Sequence, residues 1–205
     1  MRPLVVTYYT NDAYKALADR MLASAKAVGL PTKGYYIENP EGTWRAGDCR
    51  KPAVVLRALK ENPYVDVLFV DADCRFLSYP HLIAGDQHDK DIALYFETSN
   101  LPASTVMWFR AGTGIRYAER WVEEMKLTPD TPNDMFALNR TTRDLKPRSI
   151  FHMIPAYCWT EQWMRPRFGG VKPVIEHFAV GAHDFPVHSW GKSDHTIFKD
   201  GDDRG

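Results

Sequence analysis

The 205-residue chain has little that ties it to a membrane, a nucleic acid or a disulfide frame. No window is long and apolar enough to span a bilayer, and the N-terminus lacks the apolar stretch of a secretory signal, so no membrane span is expected. Its 26 basic and 26 acidic side chains cancel to a net charge of zero. That balance excludes a general electrostatic grip on a polyanion, although a local basic groove is compatible with it. The three cysteines, Cys49, Cys74 and Cys158, are scattered without a C-x-x-C pair. Their spacing disfavours a disulfide framework or a zinc site and fits reduced thiols in a cytoplasmic protein. Internal repeats, low-complexity segments and clear linkers are absent too, so a single well-buried domain is expected at this length.

Against that background one stretch stands out. Val67-Leu68-Phe69-Val70-Asp71-Ala72-Asp73-Cys74-Arg75-Phe76-Leu77 opens as a β-rich apolar run and sets two carboxylates one residue apart at its exit. A continuous apolar run of this kind reads as a strand buried on both faces, as in the middle of an α/β sheet. Buried unpaired charge is very costly, so Asp71 and Asp73 are not core residues; they call for a cation. Oxygen ligands suit a hard ion such as Mg²⁺ or Mn²⁺, usually shared with the phosphates of a substrate. The competing reading is a pair of loop carboxylates facing water.

The surrounding pattern gives that pair a place. Leu4 to Tyr8 reads as a first strand, and Thr10-Asn11-Asp12 supplies helix-capping chemistry. Tyr14, Leu17, Met21 and Val28 recur at helical spacing until Gly29 and Pro31 stop the helix. Gly34 to Ile37 reads as a second strand, Glu38 to Lys51 as a polar loop, and Pro52 as the first turn of a helix ended by Asn62-Pro63. The β-α-β-α-β order implies a parallel, Rossmann-like half, whose ligands bind beyond the carboxyl ends of the strands, where Asp71 and Asp73 fall. Further on, Asp91 to Phe96 and Thr105 to Phe109 read as strands. Tyr117, Trp121 and Met125 share a helical face, a short helix begins near Asn133-Asp134, and strands are expected near Ile150 and at Val174 to Phe178.

Taken in order, these landmarks resemble the GT-A-type glycosyltransferases of the nucleotide-diphospho-sugar transferase superfamily. Asp71-Ala72-Asp73 stands for their D-x-D, and Lys51-Pro52 for a helix opening seen in the smaller members. Ala103-Ser104-Thr105-Val106-Met107-Trp108-Phe109 is similar to the strand beneath the donor sugar. Asn133-Asp134-Met135-Phe136-Ala137-Leu138 is similar to a helix start in which Met135 replaces the usual Gln. Val174-Ile175-Glu176-His177-Phe178 is similar to a late histidine-bearing strand. The resemblance implies an α/β, GT-A-like fold with a Rossmann-like N-terminal half, a mixed central sheet and a smaller acceptor-binding C-terminal half. One domain over 1–198 is expected, with about 1–98 binding the nucleotide sugar, about 99–198 the acceptor, and 199–205 as a flexible tail.

The same resemblance implies roles for particular residues. Asp73 is expected as the direct metal ligand, and Asp71 as a second ligand or a partner of the ribose or a metal-bound water. His177 is a candidate third ligand, with His183 and His188 as rivals; an imidazole among carboxylates favours Mn²⁺ over Mg²⁺. Thr7, Tyr8 and Tyr9 follow the first strand, where a nucleobase would stack on an aromatic ring. Arg50 and Lys51 precede a helix N-terminus suited to an anion, and Lys51 is a candidate for the diphosphate or the first-half carboxylates. Lys192 is a candidate for the departing phosphate. Asp134 is the expected acceptor-side carboxylate or general base, with a helix cap as its ordinary alternative, and Glu97 is a second contender. Trp108, Tyr157, Trp159 and Trp163 are read as packing residues able to stack on sugars.

The activity so implied is metal-dependent transfer of a sugar from a nucleoside diphosphate sugar, UDP being the commonest donor, to a hydroxyl acceptor. The charge balance does not indicate a nucleic-acid acceptor. The alternative is a phosphatase of the haloacid-dehalogenase type built on Asp71 and Asp73. Such enzymes carry the motif on their opening strand, however, and here a β-α-β-α unit precedes it. A nucleotidyltransferase would need a Gly-rich loop after the first strand, where Tyr8-Tyr9-Thr10-Asn11 stands.

Overall fold

The computed structural model describes residues 2–40, 44–84, 89–96, 101–127, 134–145 and 150–178, with the side chains of 44 and 45 left out. Its centre is a six-stranded sheet of order β2-β1-β3-β6-β5-β7, formed by β1 (Leu4–Tyr9), β2 (Thr32–Tyr36), β3 (Val67–Val70), β5 (Ile92–Phe96), β6 (Pro102–Phe109) and β7 (Ile150–His152). The β2-β1-β3 pairings are parallel, as the β-α-β-α-β pattern predicts, and β5 also runs parallel to β7. β6 is antiparallel to both its neighbours, β3 and β5, which makes the sheet mixed. The reversal brings the start of β6 to the same sheet edge as the carboxyl ends of β1, β3 and β5.

Alternation along the strands feeds two cores. On one face Val5, Leu68, Val70, Ala93 and Trp108 pack with Met21 and Ala25 of α1 (Asp12–Ala27). On the other, Val6, Phe69, Leu94 and Met107 meet α3 (Lys51–Glu61), α4 (Ile115–Leu127) and α5 (Asp134–Asp144) through Val55, Trp121 and Leu138. β3 is buried at every position because it contributes to both. The caps follow the sequence: Asn11 Oδ1 accepts from the Tyr14 N–H at 2.9 Å, and Gly29 leaves α1 with φ of 83°. That left-handed conformation is one a glycine adopts freely.

Four features differ from the sequence reading. The polar segment before Lys51 is not all loop, since α2 (Trp44–Asp48) forms inside it. The Val67–Leu77 stretch splits: after Asp73 the chain turns into a separate strand, β4 (Cys74–Phe76). The late strand, β8 (Ile175–His177), pairs antiparallel with β4 and lies outside the central sheet. A 3₁₀ turn (Pro155–Tyr157) and α6 (Glu161–Phe168) follow β7. α2, β4, the 3₁₀ turn and α6 carry too little apolar periodicity to announce themselves; β8 falls in the expected Val174–Phe178 strand, but its pairing with β4 joins residues about a hundred positions apart. The expected tail, 199–205, lies outside the described residues.

Trp121 joins packing to the site, being fully buried with its Nε1–H donating 2.9 Å to the Asp134 carbonyl. Trp121→Ala is expected to cost about 3–5 kcal/mol in urea unfolding. Trp121→Phe, which keeps most of the packing but leaves that carbonyl unpaired, is expected to cost about 1–3 kcal/mol.

Candidate functional site

The carboxyl end of β3 meets the N-terminus of α3, and their contact is electrostatic. Lys51 opens α3 only 3% exposed, a poor position for a cation by itself, because burial and the positive helix end both oppose it. Three carboxylates offset that cost. The Lys51 Nζ lies 3.1 Å from Asp48 Oδ1, 3.2 Å from Asp71 Oδ1 and 3.3 Å from Asp134 Oδ2. It also donates to Ser104 Oγ at 3.1 Å and stands 5.9 Å from the centre of the Phe69 ring. Each partner comes from a different element: α2, the β3 exit, the α5 start and β6.

One ammonium cannot neutralise three carboxylates, and the titration of the cluster reflects this. Burial pushes Lys51 toward its neutral form, but Asp134, Asp48 and Asp71 outweigh it and hold the ammonium protonated well above its ordinary range. Burial raises Asp71 to about 6 against the opposing pull of Lys51. Burial likewise raises Asp134 well above the carboxylate range, while Asp48, also buried, is held below it by Lys51 and by its hydrogen bond with Asp134. Asp48 and Asp134 therefore behave as a pair sharing one proton, with the charge on Asp48.

A second cluster adjoins the first. Ligand atoms of Asp71, Asp73 and His177 lie within 4.8 Å of one another. The β4–β8 pair brings His177 there: Cys74 is its register partner, and its backbone N–H donates 2.7 Å to the Trp159 carbonyl. The His177 Nε2 is 3.4 Å from Asp73 Oδ2, while Nδ1 is 3.4 Å from Thr160 Oγ1. Thr160 thus orients the ring with Nε2 toward the carboxylates, as an outer-shell partner does in histidine metal sites. Burial lowers the His177 pKa, but Asp73 more than compensates, so the imidazole titrates above its usual value.

The set fits a divalent cation. With Asp134 protonated, the carboxylates of Asp48, Asp71 and Asp73 face one lysine, and two negative charges stay unbalanced until a dication or protons arrive. Two oxygen donors and one imidazole nitrogen suit a first-row transition ion such as Mn²⁺.

The other sequence-derived candidates are distributed around this edge. Thr7 is fully buried in β1, and its Oγ1 has no hydrogen-bond partner among the described residues. The Tyr8 hydroxyl donates to the Gly47 carbonyl at 3.0 Å, and its ring lies 6.2 Å from Phe69. Tyr9 is half-buried, with its ring 5.8 Å from Tyr36 and the Lys15 ammonium 5.8 Å above it. Arg50 is half-buried at the α3 N-cap. Trp108, Tyr157 and Trp159 are buried, whereas Trp163 is 53% exposed. Glu97, Lys192, His183 and His188 lie outside the described residues. The sequence reading missed Asp48, Ser104 and Thr160. Asp48 had a legible signal, because Asp-x-x-Lys spacing sets an i, i+3 ion pair across the start of a helix.

A solved structure, a glycosyltransferase involved in the glycosylation of the major capsid of PBCV-1, matches 89% of this chain and 95% of its own with a TM-score of 0.68. The chain shares the fold of that protein. At 11% identity the likeness is one of fold. No protein-family model and no curated protein matches the sequence. Within this fold the Asp71, Asp73 and His177 cluster occupies the crevice beyond the carboxyl ends of parallel strands, where open α/β sheets bind ligands.

Lys51→Met is expected to destabilise the protein by about 3–5 kcal/mol, because it strands buried carboxylates without their cation. The loss should deepen as pH rises through their folded-state values, as urea unfolding at several pH values will show. For Asp71 the sign is set by a folded pKa of about 6 against an ordinary one of about 4. The metal-free protein loses stability as pH climbs through that window, while Mn²⁺ affinity, which needs the carboxylate, rises over it and levels off above. Titration calorimetry of Mn²⁺ at pH 5, 6, 7 and 8 measures the trend.

Proposed function

We propose that the protein is a metal-dependent glycosyltransferase that moves a sugar from a nucleoside diphosphate sugar to a hydroxyl acceptor. The observation that carries the reading is the convergence of Asp71, Asp73 and His177 at the ligand edge of a glycosyltransferase fold. Asp73 and His177 would hold the ion directly, with Asp71 as third ligand or as partner of the donor ribose. A divalent ion there, Mn²⁺ or Mg²⁺, supplies Lewis-acid stabilisation of the charge that builds on the leaving diphosphate.

The chain's own residues then do the positioning. Lys51 holds Asp71, Asp48 and Asp134 in one arrangement, so the carboxylate that reaches the ion is pre-oriented. Tyr8 and Tyr9 border the strand end where the base would lie, and a UDP-sugar is the donor we favour. Asp134 is proposed as the acceptor-side carboxylate; it can take a proton from a hydroxyl only after losing the one it shares with Asp48. Glu97, as a second carboxylate, and Lys192, as a cation for the departing phosphate, stay in the proposal on sequence resemblance alone. Cys49, Cys74 and Cys158 form no disulfide, which supports a reducing, cytoplasmic setting. No helix among the described residues is long and apolar enough to cross a membrane. The phosphatase alternative has less support, since Asp71 follows the third strand rather than the first and the fold is that of a glycosyltransferase.

The test is release of nucleoside diphosphate from a panel of UDP- and GDP-sugars, with Mn²⁺ and with a chelator. Turnover of at least one donor is expected with metal only, and Asp73→Ala should lower it by about a hundredfold or more. Equal release in chelator, or an undiminished Asp73→Ala variant, would count against the reading.

A further inference from the structure

Of the four aromatic residues that the sequence singles out for stacking, the fold buries Trp108, Tyr157 and Trp159 and leaves Trp163 53% exposed. An exposed ring is ordinary by itself; the position of this one is not. Trp163 stands in the first turn of α6, its backbone N–H donating 3.1 Å to the Thr160 carbonyl, and the Thr160 hydroxyl lies 3.4 Å from the His177 ring. The next residue, Met164, is buried, and its sulfur accepts from the Tyr95 hydroxyl at 3.7 Å, one residue before the carboxyl end of β5. α6 is therefore pinned twice to the sheet edge that carries Asp71, once beside the candidate metal cluster and once at β5. A brace stiffens the same turn: Glu161 accepts from the Trp159 indole at 2.7 Å and from Arg165 at 2.8 and 3.2 Å. Arg167, at i+4 on the Trp163 face, is exposed as well.

We propose that Trp163 is a stacking platform for a sugar ring of the acceptor, which makes the acceptor a carbohydrate. The inference rests on the glycosyltransferase reading and narrows its hydroxyl acceptor to one chemical class. A pyranose presents a face of C–H groups and a rim of hydroxyls. The flat indole covers the first, while its Nε1–H and the Arg167 guanidinium offer donors to the second. Neither side chain has a hydrogen-bond, ion-pair or ring partner among the described residues. Less than one helical turn, about 5.4 Å of rise, separates Trp163 from Thr160, so a ring stacked there lies within a disaccharide's reach of His177. The brace holds the turn in place before the ligand arrives, so little backbone freedom is lost on binding. A serine or threonine of a polypeptide has no such flat C–H face to lay on the indole. An anionic membrane also takes Trp and Arg side chains, but it calls for a continuous apolar face. Between Gln162 and Arg167, α6 exposes a single large apolar side chain, because Met164 is turned into the core.

The test is binding of the labelled protein to a printed oligosaccharide array, with Mn²⁺ and UDP or GDP present and apparent affinities taken from a concentration series. Wild type is compared with Trp163→Ala, Trp163→Leu, Trp163→Phe and Trp163→Tyr. Anionic vesicles and a library of Ser/Thr peptides serve as competing ligands. Mn²⁺ affinity and the circular dichroism spectrum report on the neighbouring cluster and on folding. Wild type is expected to bind saccharides that share one terminal sugar, and Trp163→Ala to weaken that binding about tenfold or more. Trp163→Leu, which keeps apolar bulk without a flat face, should lose as much, whereas Trp163→Phe and Trp163→Tyr keep most of it. Mn²⁺ affinity should change little throughout. The proposal is overturned by an alanine variant that binds saccharides as wild type does, or by a leucine variant that restores binding, since bulk alone then suffices. It is overturned too by a wild type that binds no saccharide, or that prefers the vesicles or the peptides. Any of these results, alongside metal-dependent binding of UDP or GDP to wild type, leaves the glycosyltransferase reading standing. Absence of nucleotide binding as well removes both.

Discussion

Three buried carboxylates around one ammonium set the terms for the rest of the site. Asp48, Asp71 and Asp134 all reach Lys51 within 3.3 Å, and each belongs to a different segment. The cluster ties α2, the β3 exit and the start of α5 to α3, across the sheet edge where β6 reverses direction. An arrangement of this kind is weak as a source of net stability, because desolvation of the charges consumes most of the attraction. Its value is geometric: removing the cation strands the carboxylates, so the four segments have one mutually acceptable arrangement.

The same cluster explains the pull toward a metal. One excess charge is resolved internally, by the proton that Asp48 and Asp134 share. The excess on Asp71 is not, and its raised pKa records the strain of ionising beside Asp73 in a dry site. Lys51 and His177 offset part of it, and a divalent cation would relieve the rest. His177 completes the set from the small β4–β8 sheet, with its ring steadied by Thr160. Fold and charge therefore converge on the strand-end crevice from independent directions, one through topology and the other through an electrostatic deficit.

Much of this was legible in the sequence, and what was missed was missed for physical reasons. The strands β1 and β3, the helices α1 and α3 and the Asp71 and Asp73 carboxylates carry strong local signals: continuous apolar runs, helical periodicity, an Asn cap, and acidic residues at an apolar exit. The parallel β2-β1-β3 order followed from the alternation of strand and helix. β4, α2 and α6 are too short for periodicity to declare them, and α6 even encloses Pro166. The pairing of β4 with β8 is a tertiary event with no local trace. Lys51 was singled out as a possible anion binder at a helix N-terminus. Its burial could not be read locally, because it depends on carboxylates supplied by α2 and α5. Asp48 carried a signal in its Asp-x-x-Lys spacing, and the formation of α2 is what turns that spacing into a contact.

The central claim is that a divalent ion sits between Asp71, Asp73 and His177. Crystals soaked with Mn²⁺ and a nucleoside diphosphate, measured at the manganese absorption edge, test it most directly. The account predicts one strong anomalous peak within coordination distance of all three side chains, with the diphosphate against it. A peak elsewhere, or none in crystals that have visibly bound the nucleotide, would contradict it.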